Sequence, residues 1–320
     1  MQESNASTNT VVITGAFSYT GKYATSLLLS RGYKVRTLTN HTDRVNPFGN
    51  KVQAFPYSFD NPEKLAQVFR GASIVINTYW VRFPHGNSTF DTAVQNTRIL
   101  IAAAKLAGVK RMVHVSIANP SLQSPLAYYR GKALLEQSVF DSGLDYTILR
   151  PTVIFGPEDI LINNIAWFVR HFPVFGIPGD GRYRIRPIYV GDMAQLIVDA
   201  VEQKASTVID AVGPETFTFE DLVKFIASQL DRPGRIVHLP MPLAYVLTRL
   251  TGWIVRDVVL TWEEYKGLMS NLLAPDSAST GQTRLTQWLT ENRENVGRRY
   301  ASEVARHFAA HLLRKTVRTV

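Results

Sequence analysis

The run Val11-Val12-Ile13-Thr14-Gly15-Ala16-Phe17-Ser18-Tyr19-Thr20-Gly21-Lys22 constrains the fold more than any other stretch of the chain. Three β-branched residues lead into a glycine-bearing turn, and a stretch with Tyr23, Leu27 and Leu28 near one face follows, closing at Gly32. This pattern predicts strand, tight turn, helix. Such a turn aims backbone N–H groups and the positive end of a helix at one spot, which suits a diphosphate. Gly15 is expected to make the turn and Gly21 to let helix and strand pack closely. Ser18 stands where this kind of loop usually carries its middle glycine, and its hydroxyl could donate to a phosphate oxygen. An ordinary strand-to-helix turn that binds no nucleotide has the same local pattern.

The cadence that follows widens the picture. Tyr33 to Thr39 alternates as a strand, and Lys51 to Phe59 reads as a third. Asp60-Asn61-Pro62-Glu63 has a capping side chain, an early proline and an acid in the first turn of a helix that runs to Gly71. Ser73 to Thr78 is a buried strand, Asp91 opens an alanine- and leucine-rich helix that closes at Gly108, and Arg111 to Ser116 is the next strand. Strands alternating with helices in this way imply an α/β protein with a parallel, doubly wound sheet. Ligands of such sheets sit beyond the carboxyl ends of the strands, which singles out Gly15, Thr39, Asp60, Thr78 and Ser116. The loop with Tyr79, Trp80, Arg82, Phe83 and His85 either overhangs that edge or plugs a small surface cluster.

At the end of the second strand, Thr39-Asn40-His41-Thr42-Asp43-Arg44 has no carboxylate where an NAD ribose would need one. With His41 and Arg44 near enough to meet a 2′-phosphate, the expectation tilts towards NADP over NAD.

Composition sets bounds. The 320 residues include 45% apolar and 19% charged, enough for a sizeable core. No cysteine is present, which excludes disulfides, thiolate metal sites and cysteine nucleophiles. The seven histidines are scattered, and no metal is expected. Residues 1–10 are polar and read as a disordered tail and not a signal peptide. No stretch reaches the ~18 apolar residues of a membrane span, so a cytoplasmic protein is expected, with peripheral membrane contact as a variant of it. Net charge is +9, and from Arg232 onward 13 Lys and Arg face 7 Asp and Glu. A basic C-terminal region suits a membrane surface or a protein complex, or is a solvated helix face. Nucleic acid is not expected, because no recognition motif accompanies the charge.

Tyr128 and Lys132 are four residues apart at the start of a helix and share a face. A neighbouring ammonium favours the phenolate, so such a tyrosine can exchange a proton with an alcohol or carbonyl. Ser116, ending the preceding strand, could hydrogen-bond the same oxygen. A solvated Tyr–Lys pair has this spacing too.

Several motifs stand together: Thr14-Gly15-x-x-Ser18-x-x-Gly21, Asp60, Asn96, His114-Val115-Ser116, Tyr128-x-x-x-Lys132, Leu149-Arg150-Pro151-Thr152-Val153-Ile154-Phe155-Gly156-Pro157, and Arg186-Pro187-Ile188-Tyr189-Val190-Gly191-Asp192. Over residues 10 to 203 the chain resembles the extended or atypical short-chain dehydrogenase/reductases, the branch with the nucleoside-diphosphate-sugar epimerases. Within it the chain is similar to the NAD(P)H-binding proteins that include the 39-kDa accessory subunit of respiratory complex I. The resemblance implies a doubly wound Rossmann sheet with a smaller, mostly helical C-terminal substrate region. It implies an NAD(P)-binding domain over 11–155 and the substrate region over 156–320, with residues 186–211 returning to the first. Gly15, Ser18, Tyr19, Thr20 and Gly21 would hold the phosphates, Asn40, Arg44 and Asp60 the adenosine end, and Thr78, Lys132, Pro151 and Val153 the nicotinamide end. Tyr128, Lys132 and Ser116 would be the catalytic set, acting on a small-molecule substrate.

In the second half, Arg182, Arg184 and Arg186 alternate along a strand, facing either a substrate phosphate or solvent. Phe219 to Leu230 is a helix capped by Thr218. Residues 239–260 read as a helix pair over the substrate region or as a segment lying in a membrane surface. Val296 to Val317 reads as a basic amphipathic helix. Two functions follow: an NAD(P)-dependent oxidoreductase or epimerase with Tyr128 as acid/base, or a non-catalytic NAD(P)H-binding accessory or assembly factor of a membrane-associated complex.

Overall fold

The computed structural model describes residues 9–40, 42, 46–232 and 234–306. The expected disordered tail lies almost wholly outside the described residues, as do His41, Asp43, Arg44 and the chain beyond Arg306. In chain order the elements begin with β1 (Thr10–Thr14), α1 (Tyr19–Ser30), β2 (Lys34–Thr39), β3 (Val52–Pro56), α2 (Pro62–Phe69), β4 (Ile74–Asn77) and α3 (Phe90–Leu106). They continue with β5 (Arg111–Val115), α4 (Ala127–Phe140), β6 (Asp145–Pro151), β7 (Ile154–Phe155), α5 (Leu161–His171), β8 (Val174–Pro178), β9 (Arg184–Ile185) and β10 (Ile188–Tyr189). The last are α6 (Val190–Glu202), β11 (Thr207–Ala211), β12 (Phe217–Thr218), α7 (Phe219–Gln229), β13 (Arg235–Leu239), α8 (Met241–Val255), α9 (Trp262–Met269) and α10 (Leu285–Asn292).

The chain divides into two compact units. The first holds the described residues up to Pro151 together with Val190–Ala211. Its seven strands form one sheet in the order β11-β6-β5-β4-β1-β2-β3, every neighbouring pair parallel. The order reverses between β4 and β2, so β1 stands at the switch point where a crevice opens beyond the strand ends. β1 is buried along its whole length, as a strand covered on both faces must be. On one face Leu65, Phe69, Leu100 and Ala104 of α2 and α3 pack on Val12, Val75, Met112 and Ile148. On the other, α1 packs against α6, and Arg31 of the segment after α1 reaches Asp199 at 3.4 Å and Glu202 at 3.0 Å. Arg111 is buried, and its guanidinium donates to the carbonyls of Ala200, Lys204, Ala205 and Tyr146 and to Thr147. It ties β5 to β6 and to the end of α6.

Local signals explain the ends of these elements. Ser18, Asn61 and Thr218 cap α1, α2 and α7 through their side-chain oxygens. α3 is capped by Thr89 two residues before Asp91, which sits in its first turn. β3 stops at Pro56, short of Phe59, because Tyr57 and Phe59 turn in to stack at 4.9 Å and to meet Tyr79.

The second unit holds Thr152–Tyr189 and the described residues from Val212. Its core gathers Ile162, Ile165 and Val169 of α5, Leu222, Val223 and Ile226 of α7, and Leu285, Trp288 and Leu289 of α10. Three two-stranded sheets complete it: β7 with β10, β8 with β13, and β9 with β12. Three expectations are corrected here. Residues 239–260 contain one helix, α8, and not a pair, since Arg256 takes a left-handed turn (φ +54°) and the Asp257 N–H caps back onto the Gly252 carbonyl. Arg186 faces no open site, because its guanidinium donates to the carbonyls of Gly213, Pro275 and Ser277. The expected helix over 296–317 does not begin at Val296: Gly297 (φ +70°) lies against α5 at Ala166 and Trp167, and helical turns start only at Glu303.

A Cβ on Gly21 would lie on top of the Gly15 carbonyl oxygen, far inside van der Waals contact. Gly21→Ala is therefore expected to lower stability by about 3 kcal/mol by overpacking. Gly32→Ala, with φ +80° but open space around it, is expected to lose only about 1 kcal/mol. Urea unfolding midpoints of the two variants check this.

Candidate functional site

All that follows to Ser116 lies in the first unit. Gly15 takes φ +75°, which lets its N–H reach the Leu38 carbonyl at 2.8 Å while the Ala16 N–H reaches Thr37 Oγ1 at 3.0 Å. The loop is thus held by β2. Ser18 is exposed, and its Oγ accepts from the Gly21 N–H at 3.3 Å. The serine in the glycine position is the helix cap, and its own proton remains to donate. Tyr19 and Thr20 form the first turn of α1. These features fit a diphosphate: a loop backbone close to the helix, a dipole end, and an exposed hydroxyl.

At the ends of β1, β4 and β5 runs a buried polar chain. Thr14 Oγ1 donates to Asn77 Oδ1 at 3.1 Å and accepts from the Thr78 N–H at 2.7 Å. The Thr78 hydroxyl donates to the Thr14 carbonyl. Asn77 Nδ2 then donates to His114 Nδ1 at 3.0 Å, which puts the imidazole proton on Nε2. That Nε2 is buried without a partner. Burial first, and the nearby Lys132 charge second, bring His114 down to about 3. It is neutral at physiological pH.

Lys132 and Tyr128 come from the first turns of α4. Lys132 is buried, donates from Nζ to the Val115 carbonyl at 3.0 Å, and lies 4.8 Å from the centre of the Trp80 ring. Burial, opposed by Glu136, brings it down to about 7. Glu136 itself holds Arg150 through two hydrogen bonds, at 3.0 and 2.5 Å. The Tyr128 ring meets Trp80 and Phe90 edge-on, each at 5.7 Å. Trp80 also stacks on Phe90, and a Cβ on Gly131 would meet its ring at 2.8 Å. The aromatic loop therefore does both things the sequence allowed: Trp80 reaches the helix bearing Tyr128 and Lys132, and Tyr79 joins a cluster, its hydroxyl accepting from Asn96.

Ser116, just past β5, is buried with its hydroxyl unpartnered. Asn40 directly follows β2 and Asp60 lies in the turn before α2, four residues past β3; both are exposed. The Pro151 carbonyl accepts from the Ala118 N–H at 2.8 Å. Val153 belongs to the second unit, where its carbonyl accepts from Ile188. Arg44 lies outside the described residues. Trp80, Asn77 and His114 were given no role from sequence; the signal was there in strand ends β4 and β5 and in the two-residue spacing of His114 and Ser116, which places them on one face.

Residues 15–160 match the family model described as NAD(P)H-binding. The match spans a little under half of the chain. The chain is 25% identical over 283 residues to NADH dehydrogenase (ubiquinone) 1 alpha subcomplex subunit 9, mitochondrial, of Arabidopsis thaliana, covering 82% of this chain and 70% of that protein. This bears out the resemblance to the complex I 39-kDa subunits. It is 23% identical over 246 residues to the photosystem II assembly factor Ycf39 of Cyanidium caldarium, covering 76% of this chain and 78% of that protein. In fold the chain is similar to a nucleoside-diphosphate-sugar epimerase from Staphylococcus aureus, with a TM-score of 0.72 at 16% identity over 88% of this chain and 99% of that one.

The buried bases make stability pH-dependent. Lys132 is lowered from 10.5 to about 7, so between those values the unfolded chain binds a proton that the folded one does not, and stability rises with pH. His114 acts likewise between about 3 and 6.5. Urea unfolding of wild type against Lys132→Met is expected to show a difference in slope of up to ~1.4 kcal/mol per pH unit from pH 8 to 9. Equal slopes would contradict the burial of the ammonium.

Proposed function

We propose that this protein binds NAD(P)H as a non-catalytic accessory or assembly factor of a membrane-associated complex. The observation that carries the reading is the engagement of Lys132. Its ammonium is committed to the Val115 carbonyl and the Trp80 face, and its lowered proton affinity leaves it only partly charged near neutral pH, which weakens its pull on the Tyr128 proton. The names of two relatives, a subunit of a mitochondrial NADH dehydrogenase and an assembly factor of photosystem II, support the same reading. In it Gly15, Ser18, Tyr19, Thr20 and Gly21 hold the diphosphate, and Asn40, Arg44 and Asp60 the adenosine end. Thr78, Lys132 and Pro151 serve the nicotinamide end. Bound NAD(P)H then acts as a stabilising ligand that favours the folded first unit.

A second reading keeps the oxidoreductase or epimerase. The unpartnered Ser116 hydroxyl favours it, since a buried donor without a partner is unfavourable and a substrate oxygen would satisfy it. NAD(P)H would supply the hydride, Ser116 would orient the substrate oxygen, and Tyr128 would move the proton.

Calorimetry with NADH and NADPH tests both at the cradle. Ser18→Asp keeps a good helix cap but sets a carboxylate against the diphosphate, so it should weaken binding by about tenfold or more while the unfolding midpoint holds. Tyr128→Phe should bind as wild type does. Steady NAD(P)H consumption with a panel of carbonyl compounds, lost in Tyr128→Phe, would overturn the accessory reading in favour of catalysis. Absence of binding by either nucleotide would overturn both.

A further inference from the structure

α8 in the second unit has its apolar side turned outward. Ala244 and Gly252 are its buried positions, whereas Leu243, Val246, Leu247 and Leu250 are about half exposed, Ile254 is 73% exposed and Trp253 83%. At 100° per residue these six side chains fall within an arc of about 120°. A stripe of this width on a helix normally faces a core. Here the opposite, inner face packs with Gly252 against the backbone of Asp257 and with Thr248 against the Tyr265 hydroxyl.

Charge says what the stripe meets. From Arg232 to Arg256 the chain carries four arginines and no Asp or Glu. Arg249 and Arg256 flank the stripe on one side, exposed, and neither forms an ion pair among the described residues. With Trp253, Gly252 and Val259 they line an open cleft of about 340 Å³ at the end of the helix. The one carboxylate lining it, Asp257, is taken up by the Tyr300 hydroxyl and the N–H groups of Glu303 and Val304. Trp262, exposed at the start of α9, has Lys266 5.6 Å from its ring centre. Tryptophan beside cations, with leucine and isoleucine between them, is the composition of the headgroup boundary of a bilayer. α8 is not long and apolar enough to cross one.

We infer that α8 is an interfacial anchor that lies in the surface of an anionic phospholipid bilayer, with Leu243, Val246, Leu247, Leu250, Trp253 and Ile254 among the upper acyl chains and Arg249 and Arg256 on lipid phosphates. The left-handed turn at Arg256 and the close approach of Asp257 to Gly252 hold Trp253 and both arginines in one presentation. The inference rests on the membrane-associated part of the reading above, and its test leaves the nucleotide cradle untouched, so either can fail alone.

The test is flotation of the full chain with protein-free vesicles of phosphatidylcholine, with and without phosphatidylglycerol. Wild type should float with the anionic vesicles and far less with phosphatidylcholine alone. Leu250→Asp with Trp253→Asp should lower partitioning by more than about tenfold. Arg249→Gln and Arg256→Asn, the latter chosen because asparagine tolerates the left-handed turn, should each lower it by about fivefold. Unfolding midpoints and NADPH binding should stay at wild-type values, because these side chains are exposed. Equal flotation of the Leu250/Trp253 double variant would overturn the inference. So would failure of wild type to float with anionic vesicles, which would assign the face to a protein partner.

Discussion

The contact between Gly21 and the Gly15 carbonyl governs the ligand end of the first unit. A hydrogen in place of a methyl lets α1 start directly above the end of β1. Once the helix is that close, Ser18 reaches Gly21 as cap, and Gly15 can turn through φ +75° to hand its own N–H to β2. The loop is therefore braced from two sides before any ligand arrives, and a preorganised cradle avoids the ordering penalty of a loose one.

Behind that cradle the strand ends are linked by polar side chains and not by apolar ones. Thr14, Asn77 and His114 satisfy one another in sequence, at the expense of an imidazole that is neutral and has one nitrogen idle. A low-dielectric interior makes such a chain stiff when its members are paired and unfavourable where they are not. Trp80 sits at the far side of it, over Lys132 and against Tyr128, so one aromatic ring decides how much room the Tyr–Lys pair has.

Much of the first unit was legible in the sequence because its signals are local. β-branched runs marked β1 and β4, the Asp60-Asn61-Pro62-Glu63 run and Thr218 marked helix starts, and Gly32, Gly71 and Gly108 all adopt the left-handed backbone that ends a helix. What could not be read depended on distant partners. Arg186 is consumed by carbonyls of residues 213, 275 and 277, and Gly297 is pinned by α5, so neither strand alternation nor helical periodicity could anticipate them. α8 is apolar around most of its circumference, and periodicity alone could not say which side would stay uncovered. At the site, the residues named from the turn and the strand ends lie at the carboxyl edge of the sheet, apart from Arg44, which is outside the described residues, and Val153, which is in the second unit. The engagement of Lys132 by Trp80 was hidden because a loop position gives no sign of where its ring will land.

The order in which the sheet is assembled has a consequence for biosynthesis. β6 is paired on its outer side by β11, yet 55 residues separate Pro151 from Thr207, and most of them belong to the other unit. While the chain emerges from the ribosome, β6 therefore waits with one row of amides and carbonyls open and without α6 to cover α1. An open parallel edge of that kind invites pairing with another nascent chain. Completion of the seven-stranded sheet must await synthesis of a segment of the other unit, so connectivity couples the two in time.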